Sequence, residues 1–314
     1  MSDTMTEGGI EQRPDGPASR APRVSVLMTV YNAGPYLSKS IESLIAQSFC
    51  DWELIAVEDG SSDDSAATLA LYADDPRIRP FFLTSNIGRT PALRYAFSQA
   101  RGEYIAVLDA DDIACPERLR KQVDHLDSHR ETVLLGTWAD YIDAHDAVVG
   151  KCTPPTDSAG LVRGMASENP ILHSSAMYRA EVASEVGGYP EHRLYNQDYG
   201  LWLRLVARGS LAMLPECLTH IRVLASSMTR SRKQQVLVAS DILQAMIDAG
   251  ESLNLCEEGK RLNREAIAIA RLRYAVALAR SRRVAEGLRA VCHAFAADPV
   301  SVVNNRITRG FFGH

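Results

Sequence analysis

The stretch "YIAVLDADDIACPERL", residues 104–119, sets three carboxylates, Asp109, Asp111 and Asp112, directly after a five-residue apolar run. Carboxylates this close raise one another's pKa unless a cation neutralises them. Asp109 and Asp111 stand at i and i+2, so at a strand end both side chains point the same way. Such a pair suits an oxygen-ligated divalent cation, Mn2+ or Mg2+, which takes one or two protein carboxylates and completes its shell with water and substrate phosphates. A metal-bound diphosphate would answer the accumulated charge. The alternative is a helix-start cluster, acidic groups serving the positive end of a helix that opens at Pro116.

A second strand-end carboxylate, Asp59, lies in "VEDGSSDDS". Placed there it can accept a hydrogen bond from the imide N–H of uracil or a similar base, and Tyr31 can stack on that base. Ordinary roles compete: an Asx-type turn for Asp59, and packing for Tyr31.

The surrounding elements must bring these residues together. "VSVLMTV" (24–30), "WELIAVED" (52–59), "IRPFFLT" (78–84) and "YIAVLDA" (104–110) are short apolar, β-branched runs that read as strands. Pro80 places the third near a sheet edge. Between them lie helical patterns: Pro35 with Leu37, Ile41, Leu44 and Ile45; Ser61 or Ser62 as N-cap before Leu69 and Tyr72; Thr90-Pro91 before Leu93, Phe97 and Ala100; and Pro116 before Leu119, Val123 and Leu126. Strand–helix alternation at this spacing predicts βαβ units in a mostly parallel α/β sheet flanked by helices. Ligands bind beyond the carboxyl ends of such strands. Tyr31-Asn32, Glu58 to Ser61, Asn86 with Gly88, and Asp109 with Asp111 are thereby predicted on one sheet edge.

Beyond residue 130 the pattern loosens. "TVLLGTWADYIDAHDAVVG" predicts one or two strands, and "KCTPPTDSAG" a loop. "NPILHSSAMYRAEVASEVGGYPEHRLYNQDYGLWLRLVARG" reads as strand, helix, irregular loop and helix. From about 231 the chain is Ala-, Leu- and Arg-rich, a helical C-terminal extension. Residues 262–280 and 283–297 there resemble one tetratricopeptide-like hairpin, too little to fold alone. The predicted organisation is a disordered tail over 1–22, a nucleotide-binding half over 23–130, an acceptor-binding half over 131–230, and a helical region over 231–314.

Bulk properties exclude several classes. The 314 residues carry a net charge of −5, which argues against a general nucleic-acid binder. Six cysteines without C-x-x-C spacing read as free thiols in a reducing compartment. No apolar run approaches the roughly 18 residues of a spanning helix, and the N-terminal stretch lacks an apolar signal core. The expectation is a cytoplasmic protein.

In order and spacing, "VSVLMTVYN", "SIESLIAQSFCDWELIAVEDGSSDDS", "NIGRTPALRYAFSQARGEYIAVLDADD" and "QDYGLWLRL" resemble the inverting family 2 glycosyltransferases of the A-type fold. The resemblance spans residue 23 to about 228. It implies transfer of a sugar from a nucleoside diphosphate-sugar, UDP-linked because the match at Asp59 suits uracil, to a hydroxyl of a glycan or lipid-linked acceptor, with Mn2+ or Mg2+. It assigns Tyr31 and Asp59 to the nucleotide, Arg94 to the donor diphosphate, Asp109 to ribose or metal, and Asp111 to the metal. Asp198 becomes the general base that takes the acceptor proton as the hydroxyl attacks opposite the leaving diphosphate. Its competing role is the N-cap of the helix through Trp202.

The sequence departs from the family pattern at three places. Tyr95 follows Arg94 where the family has Asn. Gln197 precedes Asp198 where the family has Glu. Leu224 stands where His is common in the element "LTHIRVLASSMT", whose Arg222 fits a phosphate contact. His173 falls in the acceptor region as either a structural or a substrate-touching residue. Arg271, Arg273, Arg280, Arg282, Arg283 and Arg289 form a basic set, read first as a solvated face and alternatively as a contact with anionic lipid at the inner membrane face. Two other functions compete: a nucleotidyltransferase, for which "YNAGPYLSKS" is too poor in glycine and base, and a non-catalytic binding module.

Overall fold

A computed structural model describes residues 21–224, 235–253, 255 and 257–299. Most of the predicted 1–22 tail and the end of "LTHIRVLASSMT" lie outside the described residues. The element order is β1 (Val24–Val30), α1 (Leu37–Ile45), β2 (Trp52–Glu58), α2 (Ser65–Ala70), β3 (Ile78–Phe82), α3 (Arg89–Ser98), β4 (Tyr104–Val107), β5 (Ile113–Ala114), α4 (Arg118–Ser128), β6 (Thr132–Ile142), β7 (Val148–Cys152), α5 (Ser158–Met165), β8 (Met177–Arg179), α6 (Ala180–Glu185), α7 (Gln197–Leu205), β9 (Ser210–Arg222), α8 (Gln235–Ser252), α9 (Glu257–Arg280) and α10 (Val284–Ala297). Short 3-10 turns cover Gly34–Tyr36 and His173–Ser175.

Nine strands form one sheet in the order β3-β2-β1-β4-β8-β6-β9-β5, with β7 paired to β6. The first four are parallel, as the alternation predicts, and β3 with its proline is an edge. Beyond β4 the sheet turns mixed. β8 runs antiparallel to both β4 and β6, while β9 is parallel to β6 and antiparallel to β5.

Side-chain alternation divides the core between two faces. Val24, Val26 and Met28 of β1 pack with Leu37, Ile41 and Leu44 of α1 and with Leu119, Val123 and Leu126 of α4. Leu27, Ile55, Val57 and Ile105 face the other way, onto Leu93 of α3, Trp202 of α7, and Ala245, Met246 and Ala249 of α8. The C-terminal extension therefore shares the sheet's apolar core. Its helices α9 and α10 form the expected hairpin, closed by Arg283 N–H donating to Leu278 O at 2.9 Å.

Several local expectations change. Ser61 and Ser62 do not cap α2, whose N-cap is Asp64. Both instead meet Asn32, the Ser61 hydroxyl accepting from its amide at 3.0 Å and the Ser62 amide donating to its Oδ1 at 2.8 Å. Thr90 is the second residue of α3, not its cap, and is buried. Ile45 is exposed and Tyr72 lies beyond α2. The described cysteines, Cys50, Cys115, Cys152, Cys217 and Cys292, are free thiols. No helix among the described residues is long and apolar enough to cross a membrane.

Candidate active site

Because β1 to β4 are parallel, their carboxyl ends share one edge, and the four predicted loops meet there. Asn32 adopts a left-handed backbone, φ 49°, that turns the chain after Tyr31. Tyr31 is left 53% exposed at this edge. Asp59 reaches the same edge but is only 2% exposed. Its carboxylate accepts from the Ile87 amide at 2.7 Å, the Gly88 amide at 3.0 Å and Asn86 Nδ2 at 3.1 Å. Burial raises its pKa against those hydrogen bonds. Asp59 thus ties the loop after β3 to the end of β2. Gly60 permits that approach: its φ is +67°, and a Cβ there would sit 2.5 Å from the Asn86 amide nitrogen.

The acidic triplet follows β4, and its members differ. Asp109 meets Arg89, whose NH2 lies 2.6 Å from both carboxylate oxygens, and His173 Nδ1 lies 3.2 Å from Oδ1. Burial opposes its charge, yet Arg89 and His173 outweigh that and hold its pKa well below the usual carboxylate range. Asp112 is buried and accepts from the Arg222 amide at 2.7 Å. Burial, then Asp109 and Asp111, push its pKa well above the ordinary value. Asp111 has no ion-pair partner among the described residues. Burial and the adjacent Asp109 raise its pKa, with Arg89 and Arg222 opposing.

Arg89 joins both halves of the site. It opens α3 directly after the β3 loop. Burial works against its charge, but Asp109, then Asp198 and Asp111, keep it protonated. Asp198 lies in the first turn of α7. It is not the N-cap. That position is Asn196, left-handed at φ 48° and without a side-chain cap bond. Asp198 Oδ2 accepts from Asn169 Nδ2 at 2.8 Å. Neighbouring Gln197 is buried.

The remaining predicted residues separate. His173 sits inside the cluster, its Nε2 3.0 Å from the Tyr189 hydroxyl. Arg94 faces away from the carboxylates: it donates to Tyr189 O at 2.5 Å and pairs with Glu191 at 2.6 Å. Arg222 is a buried clamp. Its side chain is fully covered, donates to Asp111 O at 2.9 Å and Asp143 O at 2.7 Å, pairs with Asp146 at 2.6 Å and lies over the Tyr36 ring. His220 engages Asp140 at 3.6 Å and Cys115 at 3.5 Å. Trp202 is core, its indole N–H donating to Ile171 O at 3.1 Å.

Sequence reasoning missed Arg89, Asn169 and Arg193. Arg89 follows Gly88 at a predicted strand end, so the strand-edge rule contained the signal. Asn169 and Arg193 lie in irregular segments that carry no such marker.

Comparison with solved structures defines the class. The fold is similar to S. aureus TarS 1-349 in complex with UDP-GlcNAc, with TM-score 0.62 and 17% identity over 81% of this chain and 73% of that one. It is also similar to mannosyltransferase PcManGT from Pyrobaculum calidifontis in complex with GDP-Man and Mn2+, with TM-score 0.59 and 18% identity over 95% and 86%. This is the A-type glycosyltransferase fold. The sequence pattern of Glycosyl transferase family 2 matches residues 25–187, and the chain belongs to that family. The putative glycosyltransferase EpsE of Bacillus subtilis (strain 168) is 34% identical over 192 residues, 60% of this chain and 68% of its own. The amylovoran biosynthesis glycosyltransferase AmsE of Erwinia amylovora is 30% identical over 222 residues, 69% and 82%. The protein is a glycosyltransferase.

Proposed function

We propose that the chain transfers a sugar from a nucleoside diphosphate-sugar, with uracil the leading base, to a hydroxyl of a glycan or lipid-linked acceptor in one inverting displacement. The observation that carries this is the convergence of Asp198 and Asp111 on Arg89. Arg89 is ion-paired with Asp109 after β4, and the charges of Asp198, in the first turn of α7, and of Asp111 both favour its protonated form. An inverting displacement needs that division, a base on the acceptor side and charge stabilisation on the leaving side.

Asp198 serves as the base, with Asn169 fixing one oxygen and leaving the other to take the acceptor proton. Tyr31 offers its exposed face to the base. Asp59 contributes chiefly by holding the loop that carries Arg89, and any contact with the base must use acceptor directions left by its three hydrogen bonds.

The residues fit a divalent ion held by one protein carboxylate. Asp111 has no direct ion pair among the described residues, and no set of three ligating side chains gathers among them. A site of that kind relies on diphosphate oxygens and water for the rest of the shell. A bound Mn2+ or Mg2+ would stabilise the charge developing on the leaving diphosphate. By family likeness the product is an envelope or exported polysaccharide.

The test is a thermal-shift panel of nucleoside diphosphates and their sugars, with and without Mn2+. A metal-dependent shift for one nucleotide, absent in Asp111→Ala, supports the reading. Folded protein that shifts with none of them overturns it in favour of a non-catalytic module.

A further inference from the structure

Asp109 and Asp111 together would give a cation two adjacent carboxylates, but this structure leaves one open. Arg89 NH2 contacts both oxygens of Asp109, and His173 Nδ1 contacts one of them. The Asp109 amide donates to Ser174 Oγ at 3.0 Å, fixing the backbone beneath. Arg89 is held as well. Its side chain is 26% exposed, and its backbone starts α3 immediately after Gly88, whose amide is bound by buried Asp59. Asp112 is not an alternative ligand, because it is buried and accepts from the Arg222 amide.

We propose that Arg89 makes metal binding conditional on the nucleotide. It keeps Asp109 as an internal ion pair, so the empty protein offers the ion only Asp111. The ion then enters with the diphosphate as a unit. This rests on the metal–diphosphate reading of the site. A hard divalent cation requires about six oxygen ligands, and one carboxylate with water is a weak host. Adding the diphosphate raises affinity for the ion, and the ion must raise affinity for the diphosphate by the same factor. Arg89 sets the size of that factor. Without it, Asp109 keeps only His173 Nδ1 against its carboxylate, and the nucleotide-free site gains a second carboxylate ligand beside Asp111.

The experiment is Mn2+ binding to the full chain, followed by the EPR signal of free Mn2+, with and without UDP or GDP. Wild type is expected to bind Mn2+ weakly alone and at least about tenfold more tightly with a diphosphate, the strength of coupling usual between linked sites. Arg89→Gln is expected to bind Mn2+ about tenfold more tightly than wild type without nucleotide, with a smaller coupling factor. Arg89→Lys, which keeps the charge, stays near wild type. Adding Asp109→Asn to Arg89→Gln removes the gain, because Asp109 is the ligand released.

The inference is overturned if Arg89→Gln binds Mn2+ no more tightly than wild type, or if its gain survives Asp109→Asn and is therefore only long-range charge. Wild type also tests it without any variant: equally tight Mn2+ binding with and without diphosphate overturns it while leaving the site reading intact. Failure of wild type to bind Mn2+ even with both diphosphates removes the site reading and this inference together.

Discussion

Asn169 Nδ2 donates to Asp198 Oδ2 at 2.8 Å, joining the loop after α5 to the first turn of α7. One oxygen of the carboxylate is therefore oriented. Asp198→Asn is expected to lower kcat by about a hundred- to ten-thousandfold, the usual contribution of a positioned base. Donor binding, read by thermal shift, should persist. Asn169→Ala should lower kcat by about tenfold with little change in donor affinity, because it loosens the base without removing it. Steady-state kinetics on both variants checks this.

Asp111 titrates above the ordinary 3.8 because burial and Asp109 disfavour its charge. The proposed metal contact needs the ionised form. Metal-dependent nucleotide binding should therefore be complete above the raised pKa and be lost as pH falls through it, at a pH where an ordinary aspartate is still ionised. The Mn2+-dependent part of the UDP melting shift, measured across pH, reports this. A loss confined to the region below 3.8 would contradict it.

Glu53 lies under the opposite end of the sheet, buried and bonded to Ser25 at 2.7 Å, Arg79 at 3.1 Å and Arg101 at 2.6 Å. Burial opposes its charge, but Arg101, Ser25 and Arg79 lower its pKa below the ordinary 4.5. A depressed carboxylate stabilises the fold above its unfolded pKa and loses that contribution as pH falls through the folded one. Glu53→Gln should cost about 2–3 kcal/mol at neutral pH, discounted from the buried-pair range because Arg101 is partly exposed. The difference from wild type should shrink on acidification below 4.5, as urea unfolding at several pH values would show.

Arg193 is buried and reaches from the loop before Asp198 to α8, where NH1 bonds Asp241 Oδ1 at 2.7 Å and NH2 pairs with Asp248. Its carbonyl accepts from Thr90, next to Arg89, at 2.5 Å. Arg193→Ala leaves the partly buried Asp241 without its ion-pair partner and should cost about 3 kcal/mol, the low end of the range for broken buried pairs. Asp241→Ala should restore part of that loss in the double variant, since it removes the stranded charge. Melting curves of the two single variants and the double test the coupling.

Periodicity made the first half of the fold readable. Each of β1 to β3 is a mainly apolar run followed by a helix, so these strands run parallel and, with β4 paired to β1, the shared edge follows. The second half resists because its pairing is non-local. Three-residue β8 lies between β4 and β6, and β9 reaches β5 across more than a hundred residues of sequence. The site divides the same way. Asp109, Asp111, Asp59 and Tyr31 stand at the ends of legible strands. Arg94 and Arg89 both lie on α3, five residues apart, and side-chain direction decides that Arg89 meets Asp109 while Arg94 meets Tyr189 O and Glu191. Arg222 looked available to phosphate because its burial beneath Asp146 and Tyr36 depends on contacts distant in sequence.

The placement of β9 has a consequence for how the chain can be divided. Residues 25–187 carry the family's shared pattern, yet β9 begins at Ser210 and lies along all of β6. A chain ended at the family boundary would leave the eleven residues of β6 with one side of their backbone unpaired, flanked by apolar surface stripped of α7 and α8. An open strand of that length is a template for joining other chains edge to edge. The family's shared pattern is thus shorter than the unit that closes the sheet, and a fragment cut to it should come out of the cell as aggregate.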